Sequence, residues 1–240
     1  MLPIDQDPQE PKDPYGATDG NDTLKGTTTA NTMHGLLGND TIYGYAGNDK
    51  LYGDAGNDTL LGGSGGDYID GGAGVDTVSF AGGAYVSMRL DFNNTNTGDT
   101  YVGIENIIGS SYKDYLFGDE RANVIQAGAG DDYICGMGGS DTLWGGAGND
   151  IFIFDHDFAG TSVVKDFSAG DRLIRMGHQF IGTAEFSGGQ GLGDAQVRYE
   201  FEGGNTVVEY DTNWDTDAAA DFQVVLQGTH TLQASDFWQQ

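Results

Sequence analysis

Among 240 residues there is one cysteine, Cys135, so no disulfide can form within the chain. Basic side chains are scarce: 10 Lys and Arg stand against 37 Asp and Glu, a formal charge of −27. That balance argues against nucleic acid as a partner, because phosphate binding needs basic patches, and it disfavours an anionic membrane surface. Proline is confined to the start, where Pro3, Pro8, Pro11 and Pro14 stand among acids in a linker or tail. Met1 to Pro14 lacks the apolar stretch of an export signal, and no run is long enough to span a membrane. Catalytic patterns are missing too. His34, His156, His178 and His230 are scattered, with no His-Glu-x-x-His and no serine set in Gly-x-Ser-x-Gly. The glycines from Gly188 to Gly193 have neither a strand-to-helix setting nor the basic residue a phosphate loop needs. No enzymatic activity is expected of this chain.

What the chain has in excess is glycine, 41 residues of it, and the glycines are phased. Seven nine-residue units run without a gap from Ala17 to Ser79, and five more from Gly109 to Ile153. The clearest pair is Gly62-Gly63-Ser64-Gly65-Gly66-Asp67-Tyr68-Ile69-Asp70 and Gly71-Gly72-Ala73-Gly74-Val75-Asp76-Thr77-Val78-Ser79. The pattern is G-G-x-G-x-D-x-U-x, with U a large apolar residue, the form of calcium-binding parallel β-helix repeats. Glycine permits the left-handed backbone of a tight turn, which a Cβ resists. The x-U-x half is a short strand with one side chain inward and two outward. Leu24, Met33, Ile42, Leu51, Leu60, Ile69, Val78, Leu116, Ile125, Ile134, Leu143 and Phe152 fill the U position, and all are apolar.

Two units make a coil of 18 residues, and stacked coils form two parallel sheets with the U side chains sealed between them. The expected fold is all-β: a two-sheet β-roll with a β-rich C-terminal cap. Stacking also sets the sixth-position aspartates above one another, where they repel unless a cation lies between them. Hard oxygen donors, some of them carbonyls of glycine turns, favour Ca²⁺ over Mg²⁺, which demands a stricter octahedron. The carboxylate pairs are Asp22/Asp40, Asp40/Asp58, Asp49/Asp67, Asp58/Asp76, Asp114/Asp132 and Asp132/Asp150. Asn31/Asp49 and Asn123/Asp141 should be weaker sites or none. About six to eight calcium ions are expected per chain.

The repeats resemble the RTX family of secreted bacterial proteins. That resemblance implies a calcium-bound roll in which Asp22, Asp40, Asp49, Asp58, Asp67, Asp76, Asp114, Asp132, Asp141 and Asp150 are ligands, with turn carbonyls such as those of Gly35, Gly44, Gly53, Gly62, Gly71, Gly136 and Gly145. It further implies an extracellular protein exported by a type I secretion apparatus that reads a C-terminal signal.

Residues 1–16 read as linker, 17–79 as the first repeat block and 109–153 as the second. Residues 80–108 break the period and read as strand, loop and strand packed on the roll. The first strand spans Tyr85–Phe92 and the second Tyr101–Ile108, with a turn-rich loop between them. This segment carries the family-like Gly103-Ile104-Glu105-Asn106. In the second block the outward residues Tyr115, Phe117, Tyr133, Cys135, Ile151 and Ile153 are too apolar to face water, so the C-terminal segment is expected to lie over them. The rival reading is an aromatic platform for an extracellular polysaccharide.

Residues 154–240 form the cap, with strands at Val163–Phe167 and Arg172–Met176, a hairpin across Gly203-Gly204-Asn205, and a strand at Gln223–Gln227. The cap resembles the C-terminal region of serralysin-type secreted metallopeptidases in Val164-Lys165-Asp166-Phe167, Gly170-Asp171-Arg172-Leu173, Ala220-Asp221-Phe222 and Ala234-Ser235-Asp236-Phe237. The acidic loop Asp211–Asp217 precedes the third of these, and no peptidase domain is expected within these 240 residues. The expected function is a calcium-binding secretion and folding module. The alternatives are a polysaccharide- or surface-binding adhesion module, and the non-catalytic part of a secreted hydrolase.

Overall fold

The computed structural model describes residues 14–90, 94–95, 98–154, 160–174, 178–182, 195–211 and 222–237. The proline-rich start before residue 14, residues 93, 96 and 97 of the Asn93–Asp99 loop, and the Asp211–Asp217 loop past its first residue lie outside these.

The first block forms β1 (Thr23–Lys25), β2 (Thr32–His34), β3 (Thr41–Ala46), β4 (Lys50–Tyr52), β5 (Thr59–Ser64), β6 (Tyr68–Asp70) and β7 (Thr77–Ser79). Residues 80–108 supply β8 (Ser87–Arg89), β9 (Asn94–Thr95), β10 (Thr100–Val102) and β11 (Asn106–Ile108). The second block gives β12 (Tyr115–Phe117), β13 (Val124–Ala129), β14 (Tyr133–Cys135), β15 (Thr142–Ala147) and β16 (Ile151–Ile153). The cap gives β17 (Thr161–Val164), β18 (Arg172–Ile174), β19 (His178–Gly182), β20 (Ala195–Glu202), β21 (Asn205–Asp211), β22 (Phe222–Leu226) and a 3₁₀ turn at Ala234–Asp236.

The strands form a parallel β-solenoid. Alternate strands stack in register at the 18-residue spacing: Leu24 lies opposite Ile42, Ile42 opposite Leu60, and Leu60 opposite Val78. The outward threonines Thr23, Thr41, Thr59 and Thr77 stack in the same way, a β-branched ladder suited to a sheet. All twelve U side chains are at most 2% exposed. They form one narrow core that continues through Val164, Leu173, Val224 and Leu226 of the cap. Each coil can bury its own apolar side chain only against a neighbour, so the stack holds together as an array. The turns are stapled as well: the Asn21 side chain accepts from the Asn39 amide, Asn39 from Asn57, and Asn57 from Val75.

One sheet of 12 strands runs the whole length, in the order β1-β3-β5-β7-β11-β13-β15-β17-β22-β21-β20-β19. The opposite face is divided into a four-stranded sheet, β2-β4-β6-β10, and a six-stranded one, β9-β8-β12-β14-β16-β18. The division falls where the period breaks. The single strand expected over Tyr101–Ile108 is two strands, β10 and β11, one on each face, parted at Gly103 (φ +59°). Asp99-Thr100-Tyr101-Val102 and Glu105-Asn106-Ile107-Ile108 each reproduce the acid-x-U-x half of the repeat, with a shortened turn between them. Tyr101 and Ile107 therefore stack as core rungs on Ile69 and Val78. Of the expected Tyr85–Phe92 strand, β8 keeps three residues, with Met88 inward on Leu116.

In the cap, β17 and β22 extend the long sheet in parallel, and β21 and β20 then reverse it as an antiparallel hairpin. The hairpin turn is the expected one. Of the described C-terminal strands, β17, β22, β21, β20 and β19 prolong the first sheet, and β18 adds to the six-stranded one beside β16. Tyr115 remains exposed, Tyr133, Ile151 and Ile153 are half-buried, and Cys135 is buried with Sγ 3.5 Å from Met137 Sδ.

Candidate metal centres

The sixth position of each unit sits at the corner where a glycine turn enters a strand, so stacking the coils creates two rows of acids, one along each edge. On the edge before the long sheet, Asp22, Asp40, Asp58 and Asp76 follow one another. Each backbone N–H donates to Oδ1 of the next residue, at 2.8 Å in all three steps. On the other edge the Asn31 N–H donates to Asp49 at 2.7 Å and the Asp49 N–H to Asp67 at 2.8 Å. Past the break, the Asp114 N–H donates to Asp132 and the Asp132 N–H to Asp150, at 2.7 and 3.0 Å.

One carboxylate oxygen of each rung is thereby spent on the backbone. The second is not. Oδ2 of Asp40, Asp49, Asp58, Asp67, Asp76, Asp132 and Asp150 is buried without a hydrogen-bond partner. An unpaired buried acceptor is costly, and seven in phase require a common explanation. The glycines at position one mark where these oxygens point. A methyl group added at Gly44 would meet Asp49 Oδ2 at 2.5 Å and the Gly62 carbonyl at 2.6 Å. At Gly35 and Gly53 it would likewise fall within 3.0 Å of the aspartate of its own unit and of the carbonyl one coil on. At Gly62, Gly136 and Gly145 it would meet Oδ2 of Asp67, Asp141 and Asp150. At Gly71 it would meet Asp76 and the Gly103 carbonyl. Carboxylate and carbonyl oxygens thus converge on Gly35, Gly44, Gly53 and Gly71, in cradles that glycine leaves open, while the unit of Asp132 begins with Ala127. No group of three His, Cys, Asp or Glu side chains suited to a metal occurs among the described residues. An ion on these edges would be held by stacked aspartates and backbone oxygens, a hard all-oxygen donor set of the kind calcium takes.

The other candidates differ. Asp22 Oδ2 accepts from the Thr18 N–H and hydroxyl, Asp114 Oδ2 from the Ser110 N–H, and Asp141 Oδ2 from the Ser162 hydroxyl. Asn31 turns its amide onto the Thr27 hydroxyl. Three rungs escape the nonapeptide pattern and are supplied by Asp99, Glu105 and Asp171, which accept from the N–H groups of Asp67, Asp76 and Asp150 at 2.8–2.9 Å. Their signal was present in Gly98-Asp99-Thr100-Tyr101, Glu105-Asn106-Ile107 and Gly170-Asp171-Arg172-Leu173, each an acid two residues before an inward side chain. The irregular spacing hid it.

Burial pushes the carboxyls of Asp58, Asp67, Asp132, Asp141 and Asp150 up from 3.8 to about 6, outweighing the backbone N–H that each accepts, with neighbouring carboxylates adding to the rise. Asp40, Asp49 and Asp76 are raised by burial too. Without a divalent cation, the folded roll keeps protons that the unfolded chain releases. This contribution is full below pH 3.8 and is lost as pH rises through about 6. In chelator, the β-signal at about pH 4.5 should therefore exceed that at about pH 7.5. Far-UV circular dichroism checks this, and the reverse order would contradict it.

The outward aromatics are laid out in stacks. The Tyr115 and Tyr133 rings lie 4.8 Å apart with planes 20° from parallel, and His34 and Tyr52 lie 4.5 Å apart at 5°. Rings that stack along the strand-to-strand direction spend their faces on each other and turn edges outward.

A parallel β-roll with carboxylate rows on both edges is the class of protein that fold and site define. The chain matches the RTX calcium-binding nonapeptide repeat (4 copies) over residues 16–51, 25–60, 43–78, 52–86, 108–143 and 135–155. Across these residues it belongs to the RTX nonapeptide-repeat family. Among solved structures it is similar to the extracellular lipase LipA from Serratia marcescens, at 20% identity and a TM-score of 0.32, over 92% of this chain and 38% of the lipase. It is also similar to the AlgE6R3 subunit of the Azotobacter vinelandii mannuronan C5-epimerase, at 21% identity and a TM-score of 0.23, over 97% of this chain and 85% of the subunit. The chain thus spans well under half the length of the lipase. No curated protein matches it.

Proposed function

We propose that this chain binds several calcium ions along its two edges, folds on them after type I secretion, and acts outside a bacterial cell as a secretion and folding module. The observation that carries the reading is the set of seven buried, unpartnered Oδ2 atoms along the two edges, six of them in units that begin with glycine. Asp40, Asp49, Asp58, Asp67, Asp76, Asp132 and Asp150 would hold the ions, with carbonyls of the glycine turns Gly53, Gly62 and Gly71. Bound calcium supplies the positive charge that lets stacked carboxylates remain ionised. The residues do the rest: each Oδ1 locks its rung to the preceding coil, and each glycine keeps the cradle open.

A chain of charge −27 with one cysteine suits export in an unfolded state. At low calcium, carboxylate repulsion opposes collapse; at extracellular calcium the repulsion is relieved. Six sites, each at calcium about tenfold above its dissociation constant, contribute roughly 8 kcal/mol by mass action. That is comparable with a whole domain's stability of about 5–15 kcal/mol. Such a module serves equally as the non-catalytic part of a larger secreted protein, a hydrolase included. The polysaccharide-binding reading has less support, because the outward rings are stacked on one another.

The test is a count of ions. Asp58→Asn should lower the calcium bound per chain by one or two ions, measured by native mass spectrometry or equilibrium dialysis. Asp19→Asn, an exposed acid outside the rows, should leave it unchanged. An unchanged count for Asp58→Asn would remove the support for this reading.

A further inference from the structure

On the edge before the long sheet, the unpartnered oxygens stop at Asp76, and Asp132 and Asp150 belong to the other edge. At the next rungs the sixth-position residues are Glu105, Asn123, Asp141 and Ser162, and every carboxylate oxygen there has a protein partner. Glu105 Oε2 accepts from the Asp76 N–H at 2.9 Å and its Oε1 pairs with Arg121 Nη1. Asp141 Oδ2 accepts from Ser162 Oγ at 3.0 Å. Arg121 occupies position four of its unit, where glycine stands in most of the others. Its guanidinium gathers two carboxylates and a backbone carbonyl. Nε and Nη2 donate to Asp119 Oδ2 at 2.9 and 2.7 Å, Nη2 to the Ile104 carbonyl at 3.1 Å, and Nη1 to Glu105.

These are the oxygen types that converge on the glycine cradles elsewhere, carboxylate and turn carbonyl, here from the stacked Glu105, the turn residue Asp119 and Ile104. Three departures from the repeat coincide here. Aspartate becomes asparagine at position 123, glycine becomes arginine at 121, and the acid of the preceding rung is the longer Glu105. Asn123 fits the arrangement, donating to the Glu105 carbonyl at 2.8 Å and accepting from the Asp119 N–H at 2.9 Å. The turn is rebuilt to accept a side chain. Arg121 is not among the positive-φ residues, and its N–H donates to Asp119 Oδ1 at 2.8 Å.

We propose that Arg121 is a built-in cation that replaces a calcium ion at this rung and makes the junction between the two repeat blocks independent of metal. The inference rests on the calcium reading of the other rungs. Charge supports it. Burial raises the Asp119 carboxyl, but the hydrogen bonds and charge of Arg121 outweigh that and hold it below its ordinary value. Glu105 lies at the division of the second face, where β11 alone joins the two blocks on the first. A junction closed by a tethered cation remains formed when calcium is low, and leaves a seed from which both blocks can stack outward once calcium arrives.

Two measurements test it. In chelator, hydrogen exchange of the amides at residues 104–108 and 119–124 should be slower than at the Asp40 and Asp58 corners. Arg121→Gln should speed exchange at the junction by at least roughly tenfold, as expected for the loss of charge-assisted hydrogen bonds. An ordinary surface ion pair would change it little. Arg121→Gly combined with Asn123→Asp restores the repeat and should bind one calcium ion more than the parent chain. Unchanged junction exchange in Arg121→Gln, or an unchanged ion count in the double variant, would overturn the proposal. Failure of the parent chain to bind calcium at all would overturn the function proposed above, while the chelator exchange would still judge Arg121.

Discussion

Alanine at Gly56 is expected to abolish the folding of the first repeat block even in saturating calcium. Gly56 has φ +147°, and a methyl group there would lie against the Gly38 carbonyl one coil back, far inside the 3.0 Å that Cβ contacts respect. The obstacle is backbone, so no rotamer change relieves it; the coils must part and the core seam must open. The conformation alone costs about 1–3 kcal/mol, and the overlap carries the total above about 4 kcal/mol, beyond what most single substitutions do. Gly82→Ala is the control: φ is also positive at +82°, but nothing lies within 4 Å of the added methyl. Thermal melts in calcium should show a large loss for Gly56→Ala and roughly 1 kcal/mol for Gly82→Ala. Equal effects would show that the coils are not stacked as described.

Ile107→Ala should uncouple the two repeat blocks. Ile107 is fully buried and stands between Val78 and Ile125 in β11, the strand that carries the long sheet across the break in the opposite face. Truncating such a side chain costs about 2–5 kcal/mol. Here the loss falls at the narrowest point of the array, where nearest-neighbour coupling decides whether the stack melts as one unit. Calorimetry in calcium should show one transition for the parent chain and two for the variant. A single transition at an unchanged temperature would contradict this placement of β11.

The repeat architecture was legible because its signals reinforce one another. Each unit states its turn in glycine, its corner in aspartate and its core in one apolar residue, so Ile42, Leu60 and Val78 could be set in register from spacing alone. The hairpin β20–β21 was legible for a similar reason: Gly203-Gly204-Asn205 punctuates two alternating runs. Where the spacing changed, the signal was lost although the physics persisted. Asp99 and Glu105 do the work of corner aspartates, but six residues separate them where the repeat has nine, so their segment read as one strand, not two rungs. On the outer face of β12, β14 and β16, the Tyr115 and Tyr133 rings stack on each other and Lys113 lies 4.4 Å from the Tyr133 ring centroid, while much of the C-terminal segment expected over it lies outside the described residues. The role of Arg121 was hidden because a charged residue in a glycine-rich turn reads as solvated surface until its partners are seen to be Glu105, Asp119 and the Ile104 carbonyl.

The central claim, that paired carboxylates along two edges organise the chain through calcium, is tested most directly by a calcium titration at neutral pH. Far-UV circular dichroism and hydrodynamic radius should be read together, with magnesium in parallel. Beyond the Arg121 junction, the account predicts β-signal and compaction with calcium alone, saturating at several ions per chain. An equally folded chain in chelator, or equal folding with magnesium, would contradict it.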